Sequence, residues 1–347
     1  MQLKQILVTG GAGYIGSHAC LELLENDYNV IVLDNLCNSS RESIKRVEKL
    51  SGKKIIFIEE DIQSKQGIER VFKQNKIDAV IHFAGLKAVG ESVIKPITYY
   101  QNNIAGTMNL LQIMRHNNVK NIVFSSSATV YGQPETLPIK ENFLTSATNP
   151  YGRSKLYIEE ILKDTYLSDS SWNISILRYF NPVGAHQSGD MGEDPSNIPN
   201  NLMPYISQVA VGKLPQLFIY GNDYATKDGT GIRDYIHVTD LAKGHLKALL
   251  KLETNPGIIT HNLGTGIGVS VLEMVSMFEK ESKRKIKLKF VGRRLGDVAE
   301  CFADPTKAEQ ELGWKAELGL KRMCQDTWRW QSKNSNGYNL EVAESNE

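Results

Sequence analysis

Thr9-Gly10-Gly11-Ala12-Gly13-Tyr14-Ile15-Gly16 follows the apolar run Ile6-Leu7-Val8 and leads into a stretch carrying Ile15, Ala19, Leu21, Leu23 and Leu24. This is a buried strand, a glycine turn and an apolar helix in immediate succession. Gly10 and Gly11 allow the tight turn, Gly13 lets the backbone approach a pyrophosphate, and Gly16 lets the helix sit close on the strand. The anion then lies at the helix N-terminus. A second strand over 30–33 ends at Asp34, 18 residues after Gly16. A carboxylate there accepts from both ribose hydroxyls and repels a 2′-phosphate, which selects NAD over NADP.

The alternation continues outward from that unit. Strands are expected over 54–58, 79–83, 121–124 and 173–177, with helices over 66–74, 99–116 and 151–167. Strands alternating with helices predict an α/β fold, a Rossmann-type doubly wound parallel sheet with ligands at the carboxyl ends of its strands. Asp61, the turn Ala84-Gly85-Leu86-Lys87 and Ser125-Ser126-Ser127 all fall at such ends. From 182 to 202 the chain is rich in Gly, Pro, Asn and Asp, a long loop of the kind that carries function. Helices over 203–211, 240–252, 271–283 and 320–330, with strands over 217–220 and 258–262, follow. The expected division is an NAD-binding domain over 1–181, a smaller mixed α/β substrate domain over 182–331 with some interleaving, and a polar, frayed tail over 332–347.

Asn149-Pro150-Tyr151-Gly152-Arg153-Ser154-Lys155 opens a helix: Pro150 suits its first turn and Leu156, Ile158, Ile161 and Leu162 continue it. Tyr151 and Lys155 thus share one face, a turn apart. A free tyrosine titrates near pH ~10, so a base at neutral pH needs its phenolate favoured by roughly 4 kcal/mol. A cation about 4 Å away supplies that at an effective dielectric near 20 and only about 1 kcal/mol in water, so the pair needs a cleft. With 14 tyrosines, chance supplies about one such spacing. Ser127 at a neighbouring strand end completes a device for moving a proton while a nicotinamide moves a hydride. Residue types and spacing lead to a short-chain oxidoreductase scaffold and leave the substrate open.

Composition narrows the class. With 41% hydrophobic and 23% charged residues the chain is an ordinary globular protein, and a net charge of +1 gives no electrostatic footprint for nucleic acid. The densest basic run, Lys283-Arg284-Lys285 with Lys287 and Lys289, reads as a solvated helix end followed by a strand. Cys20, Cys37, Cys301 and Cys324 show no close pairing and read as reduced thiols. No metal site is expected. No apolar run approaches ~20 residues and no leader pattern opens the chain, so a soluble, cytoplasmic protein without a membrane partner is expected.

The glycine turn, Asp34-Asn35-Leu36, the runs 82–92 and 125–132, the Tyr151 helix, Arg178-Tyr179-Phe180-Asn181-Pro182, Pro199-Asn200-Asn201-Leu202-Met203-Pro204-Tyr205 and Arg233-Asp234-Tyr235-Ile236-His237-Val238 closely resemble the UDP-galactose 4-epimerase family of extended short-chain dehydrogenases/reductases. The similarity runs from about residue 3 to residue 331. It implies oxidation of the sugar C4 by tightly held NAD, rotation of the 4-keto sugar, and return of the hydride to its other face. It makes Tyr151 the base, Ser127 its hydrogen-bonding partner and Lys155 the modulator and ribose ligand. Tyr14, Ile15, Asp34, Asn35, Asn38, Ser39, Asp61, Ile62, Phe83, Lys87, Asn102 and Tyr179 match the family's NAD contacts, beside the turns holding Gly10, Gly13, Gly16, Ala84 and Gly85. Asn181, Asn201, Leu202, Phe218, Tyr220, Arg233, Arg294 and Asp297 match its UDP-sugar contacts. Arginines suit a pyrophosphate; without the resemblance, Arg233 and Arg294 would be surface residues paired to Asp234 or Asp297.

Cys301 stands where members restricted to UDP-glucose and UDP-galactose carry a tyrosine. The resemblance therefore implies room for an acetamido group and action on UDP-N-acetylglucosamine and UDP-N-acetylgalactosamine. Related 4,6-dehydratases carry an Asp-Glu pair after the strand-end hydroxyl, where this chain has Ala128-Thr129. A non-catalytic NAD sensor would need no Ser127, Tyr151 and Lys155 trio. The helices over 99–116 and 151–167, with Ile104, Met108, Leu111, Ile158 and Ile161 on more than one face, match helices that pair across a two-fold axis in this family, and imply a homodimer.

Overall fold

Odd and even residues of the first strand part to opposite sides of one sheet. In the computed structural model, which describes residues 4–339 apart from 197, 295 and 296, Ile6 and Val8 of β1 (Gln5–Thr9) join one buried cluster and Leu7 another. The same parting recurs in β2 (Asn29–Asp34), where Val30 and Val32 oppose Ile31 and Leu33. β3 (Ile56–Glu59), β4 (Ala79–His82), β5 (Asn121–Ser125) and β6 (Asn173–Tyr179) extend the sheet. Helices Tyr14–Glu25 and Val238–Leu252 cover one face, and Lys65–Gln74, Gly106–His116 and Pro150–Ser168 the other. Each fully buried aliphatic side chain contributes roughly 2 kcal/mol.

Downstream come β7 (Asn181–Val183), β8 (Leu217–Tyr220), β9 (Ile232–His237), β10 (Ile258–Leu263), β11 (Gly268–Ser270), β12 (Leu288–Val291) and β13 (Glu300–Cys301). The main sheet is entirely parallel in the order β10-β6-β5-β4-β1-β2-β3. Strand order reverses between β1 and β4, which opens a crevice at their carboxyl ends. The second half of the chain supplies both the edge strand β10 and the helix Val238–Leu252, so the large domain is completed by residues well past 181. β7, β11 and β13 pair with β9, and β8 pairs with β12. Helices Leu202–Ala210, Val271–Ser282 and Leu320–Lys333 enclose the smaller core through Met203, Ile206, Phe278 and Met323.

Three expectations need correction. The helix over 99–116 is Pro96–Tyr100 and Gly106–His116 joined by a π-helical turn, Gln101–Ala105. Leu111 and Ile158 belong to the main core and Ile104 and Ile161 pack against it, leaving Met108 exposed among the five residues read as a two-fold face. The exposed apolar residues of this region are Val89, Val93, Ile94, Ile97, Met108 and Tyr157. The segment after 332 is not frayed through 339. Tyr338 is buried, lies with its ring tilted 4.8 Å from that of Trp330 and shares Arg46 with it, because an aromatic ring offered to an apolar wall repays its ordering. The rest of that expected tail, 340–347, lies outside the described residues. No helix among the described residues is long and apolar enough to cross a membrane.

Candidate active site

The glycine turn and the β4 turn touch at the switch point. Gly10 has φ +70°, and a Cβ there would lie 2.7 Å from the Ala84 backbone nitrogen; one at Gly16 would collide with the Gly10 carbonyl oxygen. Gly13 is the N-cap of Tyr14–Glu25 without a side-chain cap, leaving the first N–H groups for an anion. The buried Asp34 carboxylate accepts from the Ala12 and Leu36 N–H groups at 2.9 Å and from Ser39 Oγ at 2.8 Å. Asn35 donates to Asp61 at 2.7 Å, Ile62 is buried beneath Gly106, and Asn38 is exposed on the same rim. A cradle that a single Cβ would close, ending at a carboxylate, fits a dinucleotide.

The Phe83 ring lies 4.6 Å from His245 beside Ala84 and Gly85, and Ile15 packs on the core. Tyr14 donates to the Gly184 carbonyl at 2.7 Å, tying the first helix to the long loop. Lys87 is paired with Glu193 at 3.0 Å, and Asn102 donates to Asn103 at 2.9 Å.

Ser127, Tyr151 and Lys155 are all buried at the carboxyl end of β5. Asn149 caps the helix Pro150–Ser168 through the Gly152 N–H at 2.8 Å, fixing where Tyr151 begins. Burial pushes the Tyr151 phenol well up, Tyr179 acts the same way, and a hydrogen bond with Ser127 opposes them. The Lys155 ammonium donates to the Ser125 carbonyl at 2.8 Å and stands 4.9 Å over the Phe124 ring. Burial lowers its pKa to about 8 against the attraction of Glu159. The spacing of Tyr151 and Lys155 therefore puts them on one face, while the ammonium's own hydrogen bond goes to the β5 end. Ser125 donates to the Tyr179 hydroxyl at 3.1 Å, bringing Tyr179 to the same place. Thr129 donates to Ser127 Oγ at 2.9 Å, a hydroxyl where a dehydratase would place a carboxylate.

Across the crevice, Arg233 faces Asp297 at 3.6 Å and Arg294 lies 3.8 Å over the Tyr220 ring, with Phe218 beside Tyr220 on β8. Asp234 is fully buried and accepts from Thr265, Gly266 and Ala303, so it is no partner for Arg233. Asn181 opens β7, exposed, and Asn201 precedes Leu202 at the start of its helix. Cys301 pairs in register with Arg233 and packs against Val130, Phe180 and Ala303. That wall continues into Ala128, next to Ser127. Burial raises its thiol pKa to about 11, so it is a neutral, small side chain.

Sequence reasoning missed four residues. Glu193 reaches both Lys87 and Asn201, at 3.0 and 3.2 Å. Asn103, buried by the π turn, ties Leu86 to Ser154 on the Tyr151 helix. Glu159 and Arg178 form a buried pair beneath Lys155. Glu159 left a signal, at the eighth position after Tyr151 on one helix face, and Arg178 opens the run Arg178-Tyr179-Phe180-Asn181-Pro182. Among the described residues no cluster could hold a metal ion.

A strand-order reversal over a glycine cradle, with a buried serine, tyrosine and lysine at its mouth, defines a dinucleotide-dependent protein of the short-chain dehydrogenase/reductase class. The sequence pattern of the family described as GDP-mannose 4,6 dehydratase matches residues 7–327. The UDP-glucose 4-epimerase of Bacillus subtilis (strain 168) is 61% identical over 96% of this chain and 98% of its own. That of Mus musculus is 57% identical over 98% and 100%. The crystal structure of UDP-glucose 4-epimerase from Bifidobacterium longum in complex with NAD+ and UDP matches with TM-score 0.94 at 54% identity, over 96% of this chain and all of that one. This chain belongs to the UDP-glucose 4-epimerase family.

Proposed function

We propose that this protein is an NAD-dependent UDP-hexose 4-epimerase that interconverts UDP-glucose and UDP-galactose and also accepts their N-acetylated counterparts. The observation that carries the reading is the meeting of Ser127, Tyr151 and Lys155 beside the glycine cradle, in a buried place. Bound NAD supplies the acceptor, and later the donor, of the C4 hydride. Tyr151 takes the proton of the C4 hydroxyl and later returns it, and Ser127 holds the same oxygen. A buried phenol resists ionisation, so the Lys155 cation is what makes Tyr151 a base. A cation about 4 Å from a phenolate is worth roughly 4 kcal/mol at an effective dielectric near 20, and far less in open water. Besides the donor spent on Ser125, Lys155 keeps N–H groups for the cofactor's ribose.

Asp34, Asn35, Asn38, Ser39, Asp61, Ile62, Tyr14, Ile15, Phe83, Lys87, Asn102 and Tyr179 hold the cofactor in this reading. Asn181, Asn201, Leu202, Phe218, Tyr220, Arg233, Arg294 and Asp297 hold the UDP-sugar, the arginines taking the pyrophosphate. The N-acetyl activity rests on Cys301, a small half-buried side chain in the wall beside Ser127. A homodimer is supported by the exposed Val93, Ile94, Ile97 and Met108, and a reducing cytoplasmic setting by four free thiols.

The test is turnover of the purified protein on UDP-galactose and, separately, UDP-N-acetylgalactosamine without added nicotinamide, with products separated by chromatography. Conversion of both is expected. Conversion of UDP-galactose alone removes the N-acetyl activity, and silence on both after NAD is supplied removes the epimerase reading.

A further inference from the structure

Tyr151, Lys155 and Glu159 follow one another at four-residue steps along Pro150–Ser168 and stack on one face of it. The Glu159 carboxylate has no solvent exposure, and Arg178 on β6 is almost as deeply buried. Arg178 grips it through Nη2 at 2.6 Å and Nε at 3.0 Å, and Ser126 Oγ donates to the same carboxylate at 2.5 Å. Ser126 lies between Ser125, whose carbonyl takes the Lys155 ammonium, and Ser127. Arg178 also donates to the Tyr131 hydroxyl at 3.0 Å, at the end of the turn that Ser127 opens. It immediately precedes Tyr179, which accepts from Ser125. One carboxylate thus holds Ser126, which joins the Lys155 acceptor Ser125 to Ser127, and Arg178. A hydrophobic pair of similar size often stabilises a fold as well as a buried ion pair does, so stability alone does not account for its place.

The other groups around Lys155 leave Glu159 as the anion that acts on it. His82 on β4 is held neutral by burial, with the Lys155 charge acting in the same direction. Tyr99 from the helix Pro96–Tyr100 and Tyr179 from β6 are phenols whose pKa values burial raises. The Arg178 charge is committed to Glu159, and Lys87 is paired with Glu193. We propose that Glu159 is a positioning residue: locked by Arg178, it keeps the Lys155 ammonium charged and holds the Ser125–Ser127 strand end under Tyr151. Glu159 itself touches neither substrate nor cofactor in this arrangement, and the inference rests on the trio acting as assigned above.

The experiment compares Glu159→Gln and Glu159→Asp with the wild-type enzyme in the pH dependence of kcat and KM for UDP-galactose, with thermal melting alongside. In Glu159→Gln the alkaline limb of kcat moves toward acid by about one pH unit, because the cation has lost its anion. kcat falls about tenfold while KM stays within about twofold, the pattern of a group acting on the chemical step. Glu159→Asp keeps the wild-type limb even if it melts lower. Should Glu159→Gln not fold, Glu159→Gln/Arg178→Met removes both buried charges and replaces it; loss of the Arg178 cation offsets part of the loss of the anion, so an acid shift smaller than about one pH unit is expected. A limb coincident with wild type in the folded glutamine variant or the double variant, or one shifted equally in Glu159→Asp, overturns the proposal. An inactive wild-type enzyme instead overturns the epimerase reading on which it stands.

Discussion

At the scale of single residues the proposed chemistry depends on a cation that burial is trying to discharge. Burial lowers Lys155 from 10.5 to about 8, with Glu159 opposing. The ammonium is present below about 8, so epimerisation falls as pH rises through that value. Stability runs the other way: between about 8 and 10.5 the unfolded chain holds a proton that the folded one has lost, so this group's contribution to stability rises with pH. Rate profiles, and melting of ligand-free wild type against Lys155→Met across the same window, check both signs. Parallel melting curves for the two proteins would contradict this reading of Lys155. In the function proposed above, Cys301 sets specificity at the same scale. Cys301→Tyr forces a phenol into a packed wall, a clash worth ~1–3 kcal/mol against a bulkier substrate. Turnover of UDP-N-acetylgalactosamine should fall by about 100-fold, with UDP-galactose within about threefold. Equal loss on both sugars would mean that Cys301 serves packing alone.

At the scale of elements, the turns at the strand ends do the positioning. Gly10 sits at φ +70° with the Ala84 backbone against it, so Gly10→Ala meets two penalties. The left-handed backbone alone costs ~1–2 kcal/mol for a residue with a Cβ, and the β4 turn must shift as well. The variant should melt lower and lose NAD during purification, read from cofactor released on denaturation. Full occupancy with an unchanged melting curve would show that the two turns have slack between them. The π turn Gln101–Ala105 works in the same way, swinging Asn103 inward to join the β4 turn to the Tyr151 helix. Nothing in the composition of Gln101-Asn102-Asn103-Ile104-Ala105 announces that extra residue per turn.

At the scale of the whole molecule, the two domains are knitted rather than strung. The chain leaves the large domain after β6, builds β7 to β9, returns for Val238–Leu252 and β10, and departs again. Tyr14 to Gly184 and Lys87 to Glu193 close the first domain against the long loop. The exposed Val93, Ile94, Ile97 and Met108 belong to this scale, as the residues the proposed homodimer would cover. Sedimentation should give twice the 38.8 kDa chain mass for the wild type and one chain for Ile94→Asp/Ile97→Asp. A monomeric wild type would rule out the dimer.

What the sequence by itself determined is local: the alternation of strands and helices, the glycine turn, Asp34 at the end of the second strand, and Tyr151 and Lys155 a turn apart. These follow from periodicity and from what a glycine or a charge can do within a few residues of chain. The tertiary structure decided which helix faces are buried, so that Leu111 and Ile158 are core while Ile94 and Ile97 stand exposed. It also decided that β10 finishes the first sheet, that Tyr338 packs on Trp330, and that Glu159 meets Arg178 beneath Lys155. Each of those contacts joins residues separated along the chain, and its energy exists only once the sheet has brought both partners out of water.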